Sequence, residues 1–293
     1  MRKRIAILIT LMLTLSLLMV GCGTKDEDNT NEVAEGENTS DTTEDTTDED
    51  NTFKVGLEAG YAPFNWTQIT DANGGVKIDG GAEFAGGYDV EIAKKIADGL
   101  GKELVIVKTE WDGLVPALVS GKIDAIIAGM SPTAERKETI DFSANYYKSD
   151  LVMVVKKGGA YESATSIKDF SGAKISAQLN TFHYSVIDQI EGVKKQPAMD
   201  NFPAMRVALE AGVLDGYVSE RPEGVSATAA NEKYAMVEFT EGFETSEDDT
   251  AIAVGLEKGS DLTAKINDIL AGISEEDRIS IMDAAIQNQP AAQ

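Results

Sequence analysis

The chain has 293 residues, with 50 acidic against 26 basic side chains, a formal charge of −24, one cysteine and one histidine. That balance excludes nucleic-acid binding, which needs concentrated Lys and Arg against phosphate. A single cysteine rules out an intramolecular disulfide, and a single histidine, His183, leaves no conventional Ser-His-Asp or Cys-His catalytic set.

The chain opens on Met-Arg-Lys-Arg, followed by an apolar run from Ile5 to Val20 and then Gly21-Cys22. A charged start, a hydrophobic centre and a small residue before the cysteine read as a secretory signal over residues 1–21. The run of about 16 residues is short of the roughly 20 that span a bilayer comfortably. Cys22 stands where a bacterial lipobox carries its lipidated cysteine, although Met19 replaces the usual Leu. Residues 22–52 are then expected to be a lipidated Cys with a disordered acidic tether. Lys25 to Thr52 holds twelve acidic residues and one basic, and so polar a segment cannot offset its ordering entropy by burial. Like charges keep it extended. An acidic tail that recruits a partner is the alternative reading.

From about Phe53 to Gln287 short apolar runs alternate with amphipathic stretches. Strands are expected at Phe53–Leu57, Leu104–Val107, Ala125–Ala128, Leu151–Lys156, Lys174–Ala177 and Leu214–Val218. Helices are expected at Asp89–Leu100, Asp112–Val119, Thr181–Ile190 and Ala204–Glu210. The alternation predicts an α/β fold of parallel sheets with helices on both faces, in two units with a cleft between them. In such sheets ligands gather at the carboxyl ends of strands. The sequence has no phosphate loop of the GxxxxGK type, no solenoid-period repeat and no metal-ligand cluster, so no cofactor or metal is expected.

The segment IIAGMSPTAERKETIDFSAN, Ile126 to Asn145, carries the most chemistry. Ser131 can cap a helix, Pro132 fits its first position, and Thr133 adds a hydroxyl. Arg136 and Lys137 then fall near a helix start, where cations are disfavoured unless an anion sits there. A guanidinium with free backbone N–H groups grips a small carboxylate; the plain alternative is a capped surface helix whose Arg136 pairs with Glu135 or Asp141.

Four motifs in order, GLEAGYAPFNW (Gly56 to Trp66), GGYDVEIAKKIADGLG (Gly86 to Gly101), EWDGLVPALVSGKIDAIIAGMSPTAERKETIDFSANYY (Glu110 to Tyr147) and LEAGVLDGYVSERPEG (Leu209 to Gly224), resemble the amino-acid-binding lipoproteins of ABC importers, the family-3 extracellular solute-binding proteins. The resemblance implies a two-lobed periplasmic-binding-protein-like type II fold that closes on its ligand. Lobe 1 would comprise residues 53–150 and 247–293 and lobe 2 residues 151–246, with crossings near Leu151–Lys156 and Glu238–Ser246. By the same resemblance Arg136 holds a ligand α-carboxylate with help from the Ser131 N–H, and the Gly129 carbonyl and Glu220 take the α-ammonium. Glu220 departs from the usual Asp by one methylene. Met130 lies between two of these positions and joins the site. Asn180-Thr181 replaces Gly-Thr, with Asn tolerating a left-handed backbone, and Phe182 replaces a frequent hydroxyl residue. Tyr61 and Trp111 are expected to flank the ligand side chain, and His183 to contact it or to sit solvated on its helix.

Glu58 occupies a pocket position of the family where an acid faces the ligand side chain. Buried and ionised there, it needs a cation, so the expected ligand is a free cationic amino acid such as Lys, Arg or ornithine. A neutral polar amino acid such as Gln is the alternative. Other classes on the same fold are a dehydratase acting on cyclic acids and a sensor domain. The expected setting is the extracellular face of the cytoplasmic membrane, lipid-anchored and monomeric, beside an ABC permease.

Overall fold

The computed structural model describes residues 51–290. The signal segment, Cys22, the tether up to residue 50 and the last three residues lie outside the described residues. Among the described residues no helix is long and apolar enough to cross a membrane.

In chain order the first part runs through β1 (Thr52–Leu57), β2 (Gly60–Tyr61), β3 (Asn65–Gln68), β4 (Val76–Lys77), β5 (Phe84–Gly86), α1 (Tyr88–Leu100), β6 (Glu103–Lys108), α2 (Trp111–Val119), β7 (Ala125–Ile126), α3 (Ala134–Thr139) and β8 (Asp141–Lys148). The middle part holds β9 (Leu151–Lys156), β10 (Lys174–Ser176), α4 (Phe182–Val186), β11 (Lys194–Lys195), α5 (Phe202–Glu210), β12 (Gly216–Glu220), α6 (Arg221–Ala230) and β13 (Tyr234–Val237). The last part is β14 (Ala251–Leu256), α7 (Leu262–Ala271) and α8 (Glu275–Asn288).

These strands form two five-stranded sheets, β6-β1-β7-β14-β8 and β11-β10-β12-β9-β13, and a small sheet β2-β3-β5-β4. Each large sheet is the base of one lobe. Phe53, Val55 and Leu57 alternate along β1 and are fully buried, the period-2 pattern that reads as a strand. Along α1 the buried residues Tyr88, Ile92, Ala93, Ile96 and Ala97 recur at helical spacing. The helix stops at Gly101, which turns left-handed at φ 67° and returns its N–H to the Ala97 carbonyl.

The sheets are mixed, where the alternation predicts them parallel. β1, β6 and β7 run parallel, as do β10, β11 and β12, but β14 is antiparallel to β7 and β8, and β9 to β12 and β13. The odd strands are the ones at the two crossings, where the chain enters one sheet directly from the other. Leu151–Lys156 is itself β9, a member of the second sheet; the crossing falls just before it, at Ser149 and Asp150, with the return between Val237 and Ala251. Ser149 N–H donates to the Thr250 carbonyl at 2.9 Å, tying the two crossings together. The expected helix Thr181–Ile190 is shorter: α4 ends at Val186 and a 3-10 turn covers Ile187–Gln189.

Glu58 follows β1, Trp111 follows β6, and Gly129, Met130 and Ser131 follow β7. In the other lobe Gln178 through His183 follow β10, and Glu220 ends β12. The parallel strands of both sheets thus deliver these residues at their carboxyl ends.

Candidate functional site

The loop after β7 differs from its sequence reading. Thr133, not Ser131, caps α3, accepting from the Arg136 N–H at 3.4 Å, and Ala134 rather than Pro132 is the first helical residue. A residue before proline is pushed to extended backbone, and the Ser131 hydroxyl is already donated to the Asp249 carbonyl at 2.9 Å. Ser131 therefore lies one turn ahead of the helix. Asp141 pairs with Lys258 at 2.9 Å instead of Arg136.

The half-buried Arg136 turns its guanidinium into the cleft. It donates to the Ser131 carbonyl at 2.9 Å and to the Asn180 carbonyl of the other lobe at 3.2 Å. Its carbon lies 5.0 Å over the centre of the Trp111 ring, a cation–π arrangement that fixes the group. Burial lowers its pKa to about 10, which leaves it charged at neutral pH. Trp111 Nε1 also approaches the Asn180 carbonyl at 3.5 Å, so this ring seats Arg136 as much as it walls the cleft.

Gly129 is held by a buried relay. The wholly buried Asp89 accepts from Asn65 Nδ2 at 2.8 Å and from the Tyr146 hydroxyl at 2.7 Å, and that hydroxyl in turn accepts from the Gly129 N–H at 3.2 Å. Burial raises Asp89 to about 7. Gly129 sits at φ 62°, and a Cβ there would lie 2.6 Å from the Tyr61 ring; both the turn and the close approach demand glycine. Met130 is 1 % exposed, and its carbonyl accepts from Ala253 N–H at 3.0 Å. It is nonetheless one of the residues lining the cleft, beside Trp111 and Arg136.

From the second lobe Asn180 adopts φ 54°, a left-handed turn that Asn tolerates, and its side chain donates to Asp112 at 2.8 Å. Thr181 donates to the Gln178 carbonyl at 2.7 Å. Phe182 packs its ring 4.3 Å from that of His183. Glu220, 2 % exposed, accepts from the Tyr61 hydroxyl across the cleft at 3.0 Å. Tyr61 stacks on Phe202 with ring centroids 4.4 Å apart and planes 10° from parallel.

Glu58 is buried, and desolvation raises it to about 7. Its two oxygens receive the Gln178 amide at 3.0 and 3.2 Å. Gln178 is also bonded to the Asp200 carbonyl at 3.1 Å. The structure thus brings Glu58, Tyr61, Trp111, Gly129, Met130, Ser131, Arg136, Asn180, Thr181, Phe182, His183 and Glu220 to one cleft. Gln178 and Phe202 are additions to the sequence reading. Gln178 had a usable signal, since it stands just past the end of the Lys174–Ala177 run, and Phe202 follows Asn201, whose side chain caps α5.

The space enclosed by Tyr61, Trp111, Arg136, Gln178, His183 and Phe202 is about 10 Å³, about the least that holds one water. An outer groove of about 910 Å³ opens from it between Trp111, Asp112, Glu135, Asn180 and Tyr184. An amino acid therefore needs the lobes to part before it can sit among these side chains.

Comparisons with known proteins agree with this architecture. The probable histidine-binding protein of Campylobacter jejuni is 32% identical over 184 residues, 60% of this chain and 66% of that one. The L-cystine-binding protein TcyJ of Escherichia coli is 30% identical over 227 residues, 77% and 78% of the two chains. Among solved structures, an amino acid ABC transporter substrate-binding protein of Streptococcus pneumoniae bound to L-arginine matches with a TM-score of 0.72 and 27% identity, covering 81% of this chain and 95% of that one. The model of the bacterial extracellular solute-binding proteins, family 3, matches residues 53–284. With that match across most of its length, and with two sheets feeding one cleft, the chain belongs to the family-3 bacterial extracellular solute-binding proteins.

Proposed function

We propose that this protein captures a free amino acid with a cationic side chain outside the cell and delivers it to an ABC permease. The observation that carries the reading is the charge set of the cleft: Arg136 from one lobe, Glu220 from the other, and a second buried carboxyl, Glu58, held by a neutral amide. Arg136 takes the ligand α-carboxylate, Glu220 and the Gly129 carbonyl take the α-ammonium, and Glu58 takes the side-chain cation. Tyr61, Phe202 and Trp111 close the walls, and Ser131, Asn180, Thr181 and Phe182 shape the carboxylate end. Among the described residues we take the lobes as 53–150 with 247–290, and 151–246. Contacts drawn from both lobes make ligand binding stabilise the closed arrangement selectively. Anchorage through a lipidated Cys22 on the outer face of the cytoplasmic membrane, and a monomeric state, complete the reading from the sequence.

Glu58 also favours a second reading. With its pKa at about 7, much of it is protonated near neutral pH, and a protonated carboxyl suits a neutral polar ligand such as glutamine. A thermal-shift screen with twenty amino acids plus ornithine separates the two. A ligand at a hundred times its dissociation constant adds about 2.7 kcal/mol to stability. The largest shifts are expected from arginine, lysine or ornithine; the largest shift from glutamine or glutamate would overturn the cationic assignment, and no shift from any amino acid would overturn the function.

A further inference from the structure

His183 is the second residue of α4, 6 % exposed, and neither ring nitrogen has a hydrogen-bond partner among the described residues. Native proteins rarely bury a polar group unpartnered without a reason. The ring lines the inner cavity together with Tyr61, Ser131 and Arg136. Its Nε2 lies 3.5 Å from Glu220 Oε1, close enough to share a small cation with that oxygen but outside hydrogen-bond geometry. The other Glu220 oxygen is taken by the Tyr61 hydroxyl. The other hydroxyls of the cavity are engaged: Ser131 with the Asp249 carbonyl and Thr181 with the Gln178 carbonyl.

We propose that His183 is a ligand-binding residue that supplies the third acceptor for the α-ammonium of the bound amino acid, beside Glu220 and the Gly129 carbonyl. The proposal rests on the amino-acid reading above and assigns the side chain that reading leaves idle. An α-ammonium carries three N–H donors spread tetrahedrally, and a neutral imidazole offers one acceptor nitrogen. The opposite role, donation to the ligand carboxylate, fits poorly, because Nε2 lies beside Glu220, whose charge repels a carboxylate. Phe182, packed on the imidazole, holds it in place.

The test is calorimetry on the folded chain with L-arginine and with its deaminated analogue, which keeps the carboxylate and guanidinium but lacks the ammonium. Another amino acid and its deaminated analogue replace them if the screen ranks it first. His183→Leu keeps bulk and removes the acceptor, and His183→Gln places an amide oxygen near the position of Nε2. The Leu variant should bind arginine about 10- to 100-fold more weakly, the range for leaving one charged donor unpaired. The Gln variant should stay within about threefold of wild type by keeping the acceptor. Both should bind the deaminated analogue as wild type does. Wild-type affinity in the Leu variant, equal losses in both variants, or an equal loss against the deaminated analogue would overturn the proposal in favour of a packing role. A wild-type protein that binds no amino acid would instead remove the parent reading.

Discussion

Two clusters of buried charge lie near each other and are built on opposite plans. In the second lobe the wholly buried Glu223 receives Arg206 at 2.7 and 3.2 Å, the Tyr217 hydroxyl at 3.0 Å and the Ser219 hydroxyl at 2.6 Å, all from its own lobe. Its partner Arg206 is held above its ordinary pKa, the nearby Glu223 carboxylate outweighing the burial that lowers it. In the cleft, by contrast, Arg136 spends its donors on backbone carbonyls, Glu58 leans on an amide from across the gap, and both nitrogens of His183 are unspent among the described residues. A charge that is saturated within one lobe serves the fold. One that borrows its partners across a cleft can exchange them for a ligand's.

The sharpest way to break this comparison is to cut one arginine from each cluster. Arg206→Ala leaves Glu223 buried and unpaired and should lower unfolding free energy by about 3–5 kcal/mol, read from urea melts, while arginine affinity of the molecules that remain folded is unchanged. Arg136→Ala should do the reverse. It costs about 2–5 kcal/mol of ligand binding by calorimetry, because the ligand carboxylate loses its counter-charge, and the unliganded melt moves little. If Arg136→Ala destabilised the fold as much as Arg206→Ala does, the division between the two clusters would be wrong.

The next effect is pH-dependent and concerns Glu58. Its pKa and that of Asp89 are raised by burial to about 7 from ordinary values of 4.5 and 3.8. A carboxyl raised on folding contributes stability that is complete below its unfolded pKa and is lost as pH rises through the folded value. The unliganded protein should therefore lose stability between pH 5 and 8, on the order of 5 kcal/mol for the two groups together. Cation binding has the opposite sign, since ionised Glu58 attracts the ligand's side chain, so the arginine-induced shift should grow over the same window. Glu58→Gln should flatten both trends in part and cost arginine about 1–3 kcal/mol while leaving a neutral amino acid nearly untouched. An arginine shift that is larger at pH 5.5 than at pH 8 would detach Glu58 from the ligand side chain.

The comparison also separates what the sequence discloses from what it withholds. Buried strands such as Phe53–Leu57 and Leu151–Lys156 are legible because an apolar run has one economical fate, and Arg136, Gly129 and Glu220 are legible because a motif fixes them beside strand ends. The antiparallel course of β9 and β14 is not legible, since strand direction is decided by where the chain comes from and leaves no trace in side-chain pattern. The cap at Thr133 was obscured because Ser131 has the same chemistry and only the Asp249 carbonyl, 118 residues away, removes it from competition. Gln178 and Phe202 escaped for a related reason. Their importance comes from partners, Glu58 and Tyr61, that only folding brings near.

The smallest effect tests whether the cleft loop carries strain of its own. Ala59, between Glu58 and the short strand β2, sits at φ 53°, a left-handed conformation that costs a residue with a Cβ about 1–2 kcal/mol. The Thr67 hydroxyl donates to its carbonyl at 2.9 Å and pins the turn, which sets the direction in which Glu58 enters the cleft. Ala59→Gly relieves the strain but returns about 0.4–1 kcal/mol to the unfolded chain as entropy. The net expectation is a gain of about 0.5 kcal/mol in a urea melt, with arginine affinity within about twofold of wild type because Thr67 still holds the turn. A loss of affinity alongside the gain in stability would instead mean that the left-handed residue itself aims Glu58 at the ligand.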